Sequence, residues 1–576
     1  MVRPLHQVKT APEGRGLRAT VLLVLAVGLL LPIAAGLAQT ARAAFGVMPS
    51  IGATEAGWHA WSALLSVPGF ATSVKLTLIT GLGSTALSLL LTLAIVATLH
   101  GRLTSGTTGR WLTPFLAIPH AALAIGLAFV LAPSGWIARL LAPILGLDRP
   151  PDIALVGDPW GIALIIGLVI KEVPFLLLVT LSALTQIPVR RHLATGQSLG
   201  YGRAMIWLKI LAPQIWPLIR LPVMVVLAYA LSTVDMALIL GPSNPPVLAV
   251  LLTRLFFAPD TAALLPASAG ALLQAGLALA AFGLIWLCEF TSRRVGRWWL
   301  RRGGRGGAAE PALRGIGLAG VALLALGLVA MAALGVWSLA WRWPWPAALP
   351  ESWSLRAWTG AGPGLGRALG ETVFLALATT ALSLLLAIAW LEGEDRARRG
   401  RAGWAQALIY LPLLVPQIAF LYGLNVLFLR LGLTGERAAV VWAQALFVFP
   451  YVMITLSDPW RALDPRLPRA AASLGAGPWR RLVAVKLPVL LTPLLTAAAI
   501  GVAVSVAQYL PTLFMGAGRV ATLTTEAVTL SAASDRRVTG VYASLQAGLP
   551  LAAYAAAFLI PALVHRNRQG LKGGGT

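Results

Sequence analysis

Residues 194–200 read Ala-Thr-Gly-Gln-Ser-Leu-Gly and residues 469–476 read Arg-Ala-Ala-Ala-Ser-Leu-Gly-Ala. Ser198-Leu199-Gly200 leads through Lys209 to Pro213, and Ser473-Leu474-Gly475 leads through Lys486 to Pro488. Gly to Pro is 13 residues in both copies, whereas Lys stands nine residues after the first Gly and eleven after the second. Small residues such as Ala470 and Ala471 suit a short helix that a partner can approach closely. Gly200 and Gly475 can then end it in a left-handed turn, and Pro213 and Pro488 can start the next helix. Two basic, structured knobs are expected. Positive charge on ordinary loops would explain the arginines alone, but not a recurring Ser-Leu-Gly at a fixed distance from Pro.

Outward from these loops, the chain is apolar. Of its 576 residues 58% are hydrophobic and 11% charged, and the mean hydropathy is +0.80. Globular domains carry roughly a quarter charged residues, so a soluble multidomain enzyme is excluded. Twelve stretches approach the roughly 20 apolar residues that a membrane span needs. They lie near 18–38, 74–99, 111–132, 160–183, 216–240, 265–288, 315–341, 372–391, 404–429, 438–456, 490–510 and 540–563. The first is too long for a signal-peptide core and reads as a retained helix.

The net charge of +25 would suggest nucleic acid in a soluble chain, but here it orients the protein. With both termini cytoplasmic, 30 of the 45 Lys and Arg fall on the inner side and 13 outside. Membrane lipid, not nucleic acid, is the expected surroundings. Residues 291–313 form a Gly/Arg-rich linker that cannot offset its ordering entropy by apolar burial. It separates a first half (1–290, core about 70–288) from a second (314–576, core about 370–563). Thr-Ala-Leu-Ser-Leu-Leu-Leu occurs at 85–91 and at 380–386. Pro119 precedes Gly126 by seven residues, as Pro416 precedes Gly423, and Val173-Pro174-Phe175 matches Phe449-Pro450-Tyr451. An all-α integral membrane protein of about twelve helices in two homologous, parallel six-helix halves follows.

The paired loops resemble the EAA loop of permease subunits of binding-protein-dependent ABC importers, whose pattern is roughly Glu-Ala-Ala-x-x-Leu-Gly-Ala with a following Pro. Fused two-repeat permeases of this length are similar to the iron(III) and thiamine types. The resemblance implies the type I permease fold in an inner membrane and a separate ATPase, a homodimer, that holds ATP and Mg. It further implies a coupling helix in each loop and an extracytoplasmic solute-binding protein. The family Glu is Ala194 in the first copy and Arg469 in the second, so any salt bridge from it is lost or reversed here.

No phosphate-binding loop occurs in the chain, which is read as a transport subunit without a cofactor of its own. Six scattered His suggest no metal site, and a single cysteine, Cys288, excludes an intrachain disulfide. Charged and polar groups at membrane depth are candidates for a solute path: Asp235 and Gln508 first, then Asn425, Glu172 and Lys171. Structural roles compete for Lys171 and Glu172, which stand side by side before Pro174. Residues 508–519 and the Leu-Thr-Thr-Glu stretch after them are placed just outside the membrane, as a connector, a contact for the binding protein or a gate of the outer mouth. Trp298-Trp299 and the Trp341–Trp345 cluster read as interfacial anchors. The alternative is a major-facilitator-type secondary transporter, for which Gly101-Arg102 and Gly109-Arg110 make only a weak motif.

Overall fold

The computed structural model describes residues 15–103, 117–306, 309–360, 362–397, 403–532 and 535–566. Among them ten helices are long and apolar enough to span a membrane, from Gly16–Ala44 and Phe70–Gly101 to Arg536–Val564. The bent pair Pro478–Val489 and Leu491–Ala507 supplies another, and the shorter apolar helix Gln417–Arg430 occupies the ninth expected stretch. The fold is the all-α membrane protein expected. The stretch expected near 111–132 lies partly outside the described residues.

Each half's leading helix packs on the opposite half. Gly16–Ala44 runs against Gln417–Arg430 and Gly362–Arg396, and Ala309–Leu339 against Phe70–Leu103 and His120–Leu131. The crossing points are the glycines of the Pro-x6-Gly repeat. A Cβ on Gly423 would overlap the carbonyl oxygen of Gly36, and one on Gly126 that of Ala330. Without an aqueous hydrophobic drive between lipid-solvated helices, such backbone-close crossings are the main source of helix association.

The repeat extends to the caps of two short, largely buried helices. The Leu248 N–H donates to Thr77 Oγ1 and the Leu523 N–H to Thr372 Oγ1, both at 2.8 Å. Each hydroxyl satisfies an orphan amide at the start of a helix, Leu248–Phe256 or Leu523–Ser531.

The Gly/Arg-rich strip is shorter than its composition suggests. Leu264–Arg301 is one continuous helix and Ala309–Leu339 begins the next. Between them Gly304 and Arg305 lie on the base of the first loop, where the Gly304 carbonyl accepts from Lys209 Nζ at 2.9 Å. Ordering is offset by hydrogen bonds and by the Arg301 end of a long helix, not by apolar burial.

On the opposite face, the Trp341–Trp345 cluster encloses Arg139. Its guanidinium donates to the carbonyls of Ser134, Trp343, Pro344 and Ala347 and lies over the Trp343 ring, 4.8 Å from the centroid. Trp345 Nε1 donates to the Leu147 carbonyl. These tryptophans join the halves, a packing role beyond interfacial anchoring.

Candidate functional site

Both loops contain the short helix expected: Val189–Ser198 and Arg466–Ser473. Gly200 and Gly475 follow at φ +79° and +80°, the left-handed region where a side chain costs strain. Ser198 Oγ and Ser473 Oγ donate to the carbonyls three residues back, Thr195 and Ala470, each at 2.8 Å. Ala194, Leu199, Arg469, Ala470 and Leu474 are exposed or nearly so, Leu474 at 87%. An exposed leucine thus stands at the tip of each loop.

Pro213 and Pro488 correct the expectation attached to them. The helices start earlier, at Arg203 and Pro478, and each passes through a π turn, Trp207–Leu211 and Leu482–Lys486. In it the Ala212 N–H reaches the Trp207 carbonyl and the Leu487 N–H the Leu482 carbonyl, five residues back. Such a turn disrupts the regular i to i−4 ladder, and a proline directly after it has no N–H to leave unpaired. The fixed Gly-to-Pro interval thus encodes the place of the wide turn.

Lys209 and Lys486 are likewise not part of a charged docking surface; they are buried, 8% and 6% exposed. Lys209 is held by the Gly304 carbonyl and lies over the rings of Trp299 and Tyr201, 4.9 and 5.5 Å from their centroids. Lys486 is held by carboxylates: Glu392 and Asp395 each accept from its Nζ at 2.6 Å. Arg396 pairs with Glu392 and Arg461 with Glu394, both at 2.8 Å, while Trp460 Nε1 donates to Asp395 at 3.0 Å. Lys486 is thus bolted by ion pairs where Lys209 has none among the described residues; at the root of the first loop the carboxylate is Glu310, which accepts from the Ala204 N–H at 3.0 Å and pairs with Arg314. The repeat at 85 and 380 places Ala97, Leu99 and His100 opposite Glu392, Glu394 and Asp395. Sequence reasoning passed over this clamp, although Glu-Gly-Glu-Asp at 392–395 concentrates three of only 20 acidic residues.

Deeper in the bundle the halves meet at a cavity of ≈ 130 Å³. Four backbone breaks converge there. Pro119 and Pro416 are extended and start the helices His120–Leu131 and Gln417–Arg430. Thr233 and Gln508, extended at ψ 133° and 112°, end the spans that rise from the two loops. Each break lies 33 residues beyond its loop glycine (200 to 233, 475 to 508). Interrupted helices with free termini at a central cavity are what a transporter uses to meet a solute with backbone groups.

Of the five path candidates, two line this cavity. Asp235 Oδ1 accepts from Thr233 Oγ1 at 3.2 Å and from the Tyr229 hydroxyl at 3.4 Å, and Gln508 faces it from the other half. Lys171 instead donates to the Ile118 carbonyl, freed by the break at Pro119. Glu172 turns toward Ser88, which donates to it at 2.8 Å, and Asn425 accepts from Thr434 at 3.2 Å. His120, Tyr229, Gln417 and Tyr451 also line the cavity and were missed. Their signal was positional, since His120 and Gln417 each follow the repeated proline. Of residues 508–519 the first part packs inward: Leu510–Gly516 is a short helix with Leu510, Phe514 and Met515 buried, while Ala517, Gly518 and Arg519 are exposed. A mainly apolar run beside a helix break packs inward.

The family described as "Binding-protein-dependent transport system inner membrane component" matches residues 386–565, which contain the second loop helix and the Gln508 break. Over 515 residues the chain is 32% identical to the inner membrane ABC transporter permease protein YnjC of Escherichia coli, covering 89% of this chain and 92% of that protein. It is 29% identical to the molybdenum transport system permease protein ModB of Mycobacterium tuberculosis over 218 residues, 35% of this chain and 75% of that one. With ModB of Azotobacter vinelandii the identity is 31% over 165 residues, 26% of this chain and 72% of its relative. None of these likenesses supports the major-facilitator alternative. The doubled loop, the halves that repeat it and a near full-length relative agree: this chain belongs to the permease family of binding-protein-dependent ABC importers.

Proposed function

We propose that the chain is the membrane-spanning channel of an ATP-driven importer of the inner membrane, with both termini and both loop helices cytoplasmic. It moves a small polar solute of the oxyanion class. The observation that carries the mechanism is the repeated connection: in each half a span joins an exposed loop helix to a backbone break at the shared cavity, as one helix in the first half (Arg203–Ser232) and as two segments bent by 78° in the second (Pro478–Val489 and Leu491–Ala507). A homodimeric ATPase seated on Leu199 and Leu474 would move the loops as its subunits close. Each span would carry that motion, as a lever, to Thr233 or Gln508 and so change which side the cavity faces. ATP does work on the solute only through such a difference between two states. ATP and Mg would reside on that partner, and an extracytoplasmic binding protein would deliver the solute.

The helix termini and the relatives favour an oxyanion over thiamine or iron(III), and the donor set of the cavity speaks against iron(III) alone. The N-termini of two half-helices, at His120 and Gln417, open on the cavity, and such termini favour negative groups. Asp235 is the one carboxylate among the described residues that line the cavity, a poor donor set for iron(III), which prefers several oxygen or nitrogen ligands. The ModB relatives are named for molybdenum. Titration calorimetry of the solute-binding protein that serves this chain should show molybdate or sulfate bound and thiamine and iron(III) ignored. Tight binding of thiamine or iron(III) instead would refute the solute class and leave the channel reading standing.

The docking reading has its own test. Tryptophan at both Gly200 and Gly475 fills the loop tips and strains a left-handed turn. The double variant is expected to remain monodisperse in detergent yet lose the co-expressed ATPase on affinity purification. Undiminished co-purification would show that the ATPase sits elsewhere.

A further inference from the structure

The first loop carries charge that the protein does not neutralise. Arg190 and Arg191, at the start of Val189–Ser198, are exposed and pair with no carboxylate among the described residues. With His100 they rim a groove of ≈ 430 Å³, whose walls are Leu181, Leu184 and Ile187. The groove lies where the spans Phe70–Gly101 and Ile162–Leu184 end, at the level of the headgroups. In the second half the equivalent place is occupied by the clamp of Glu392, Glu394 and Asp395 on Lys486 and Arg461. The cations buried at the root of the second loop are thus neutralised by carboxylates, while Arg190 and Arg191 face a half-apolar groove.

We propose that this groove binds an anionic phospholipid of the leaflet on the loop-helix side, with its phosphate on Arg190 and Arg191 and its proximal acyl carbons along Leu181, Leu184 and Ile187. Basic pockets between spans at a membrane surface suit anionic headgroups, and the arginine fork matches phosphate geometry. The apolar walls speak for lipid over an acidic segment of a docking protein, which would need polar surroundings for its backbone. A lipid here would brace the root of the first loop helix, the support that ion pairs give the second.

Native mass spectrometry of the purified full chain can count bound lipid in titrations with phosphatidylglycerol or phosphatidylcholine. Wild type is expected to retain phosphatidylglycerol preferentially. Arg190→Gln with Arg191→Gln should weaken that binding about thirtyfold, and either substitution alone about fivefold, from two cations near a membrane surface. The charge-matched pair Arg480→Gln with Arg481→Gln, in the second half, should leave it unchanged. Size-exclusion profiles and melting in phosphatidylcholine would show that the variants are folded, and the single substitutions keep the test alive if the double one is not. An equal loss in the second-half pair would reduce the effect to general basicity and overturn the proposal. So would equal retention of phosphatidylcholine. Protection by inorganic phosphate alone, at concentrations that displace the lipid, would assign the groove to a free anion.

Discussion

Valine at Gly423 is expected to cost about 3 kcal/mol and to lower the melting temperature of the purified protein by several degrees, the upper part of the usual range for overpacking. The reason is where the new atoms would go. A Cβ at Gly423 meets the backbone carbonyl of Gly36, and Thr40 Oγ1 lies close by; a side chain can change rotamer, but a helix backbone moves only as a body. The two helices would separate, and with them the contact that ties the leading helix of the first half to the second. Trp442 Nε1, which donates to the Gly28 carbonyl at 2.8 Å, belongs to the same seam. Gly126→Val should behave alike, because it meets the Ala330 carbonyl at the equivalent crossing. Alanine at Gly36 and at Gly423 together should cost less than the sum, since both probe one contact. Gly335 is the control: it is helical, in the last turns of Ala309–Leu339, and nothing lies within 4 Å of a Cβ built there, so Gly335→Ala should be neutral or stabilise by up to about 1 kcal/mol. Differential melting followed by tryptophan fluorescence measures all of these, and a Gly423→Val protein that melts with wild type would sink the account.

That experiment bears on how much the sequence discloses. Gly126 and Gly423 were visible as a repeat because they keep a fixed distance from Pro119 and Pro416. Nothing in either stretch says that the glycine meets a helix of the other half, because the partners Gly36 and Ala330 lie hundreds of residues away in unremarkable apolar runs. Span number, charge asymmetry and the short loop helices are local properties, written in hydropathy, in Arg and Lys, and in small residues ended by Gly. The cavity is a product of convergence. Thr233 and Gln508 take the same place at the same distance from their loop glycines, but one is a hydroxyl and the other an amide, so residue type hid the correspondence that backbone angles reveal. Lys209 and Lys486 misled in the opposite sense. They looked like a shared motif two residues out of register, and the structure shows a shared π turn with a lysine at its third position in one half and its fifth in the other.

The difference between those lysines leads to the second large effect. Lys486→Ala should disable energy coupling more severely than Lys209→Ala, although both residues are buried at the root of a loop helix. Removing Lys486 leaves Glu392, whose side chain is 5% exposed, with Arg396 alone, and breaking a buried pair from one side costs about 3–5 kcal/mol. Removing Lys209 costs one hydrogen bond to a neutral carbonyl and contacts with two rings, about 1–2 kcal/mol together. Because Lys486 ends the π turn just before the 78° bend from which Leu491–Ala507 runs to Gln508, freeing it lets the loop move without the lever. In liposomes containing the reassembled importer, Lys486→Ala should keep basal ATP hydrolysis but lose about tenfold of its stimulation by solute-loaded binding protein, the effect of a 1.4 kcal/mol bias against the coupled position. Lys486→Met with Glu392→Gln should recover part of this loss, since it removes both buried charges and keeps their volume. The clamp should also resist raised salt better than an exposed pair would. Equal loss of stimulation in Lys209→Ala and Lys486→Ala would mean that burial, and not the ion pairs, sets the stiffness of the lever.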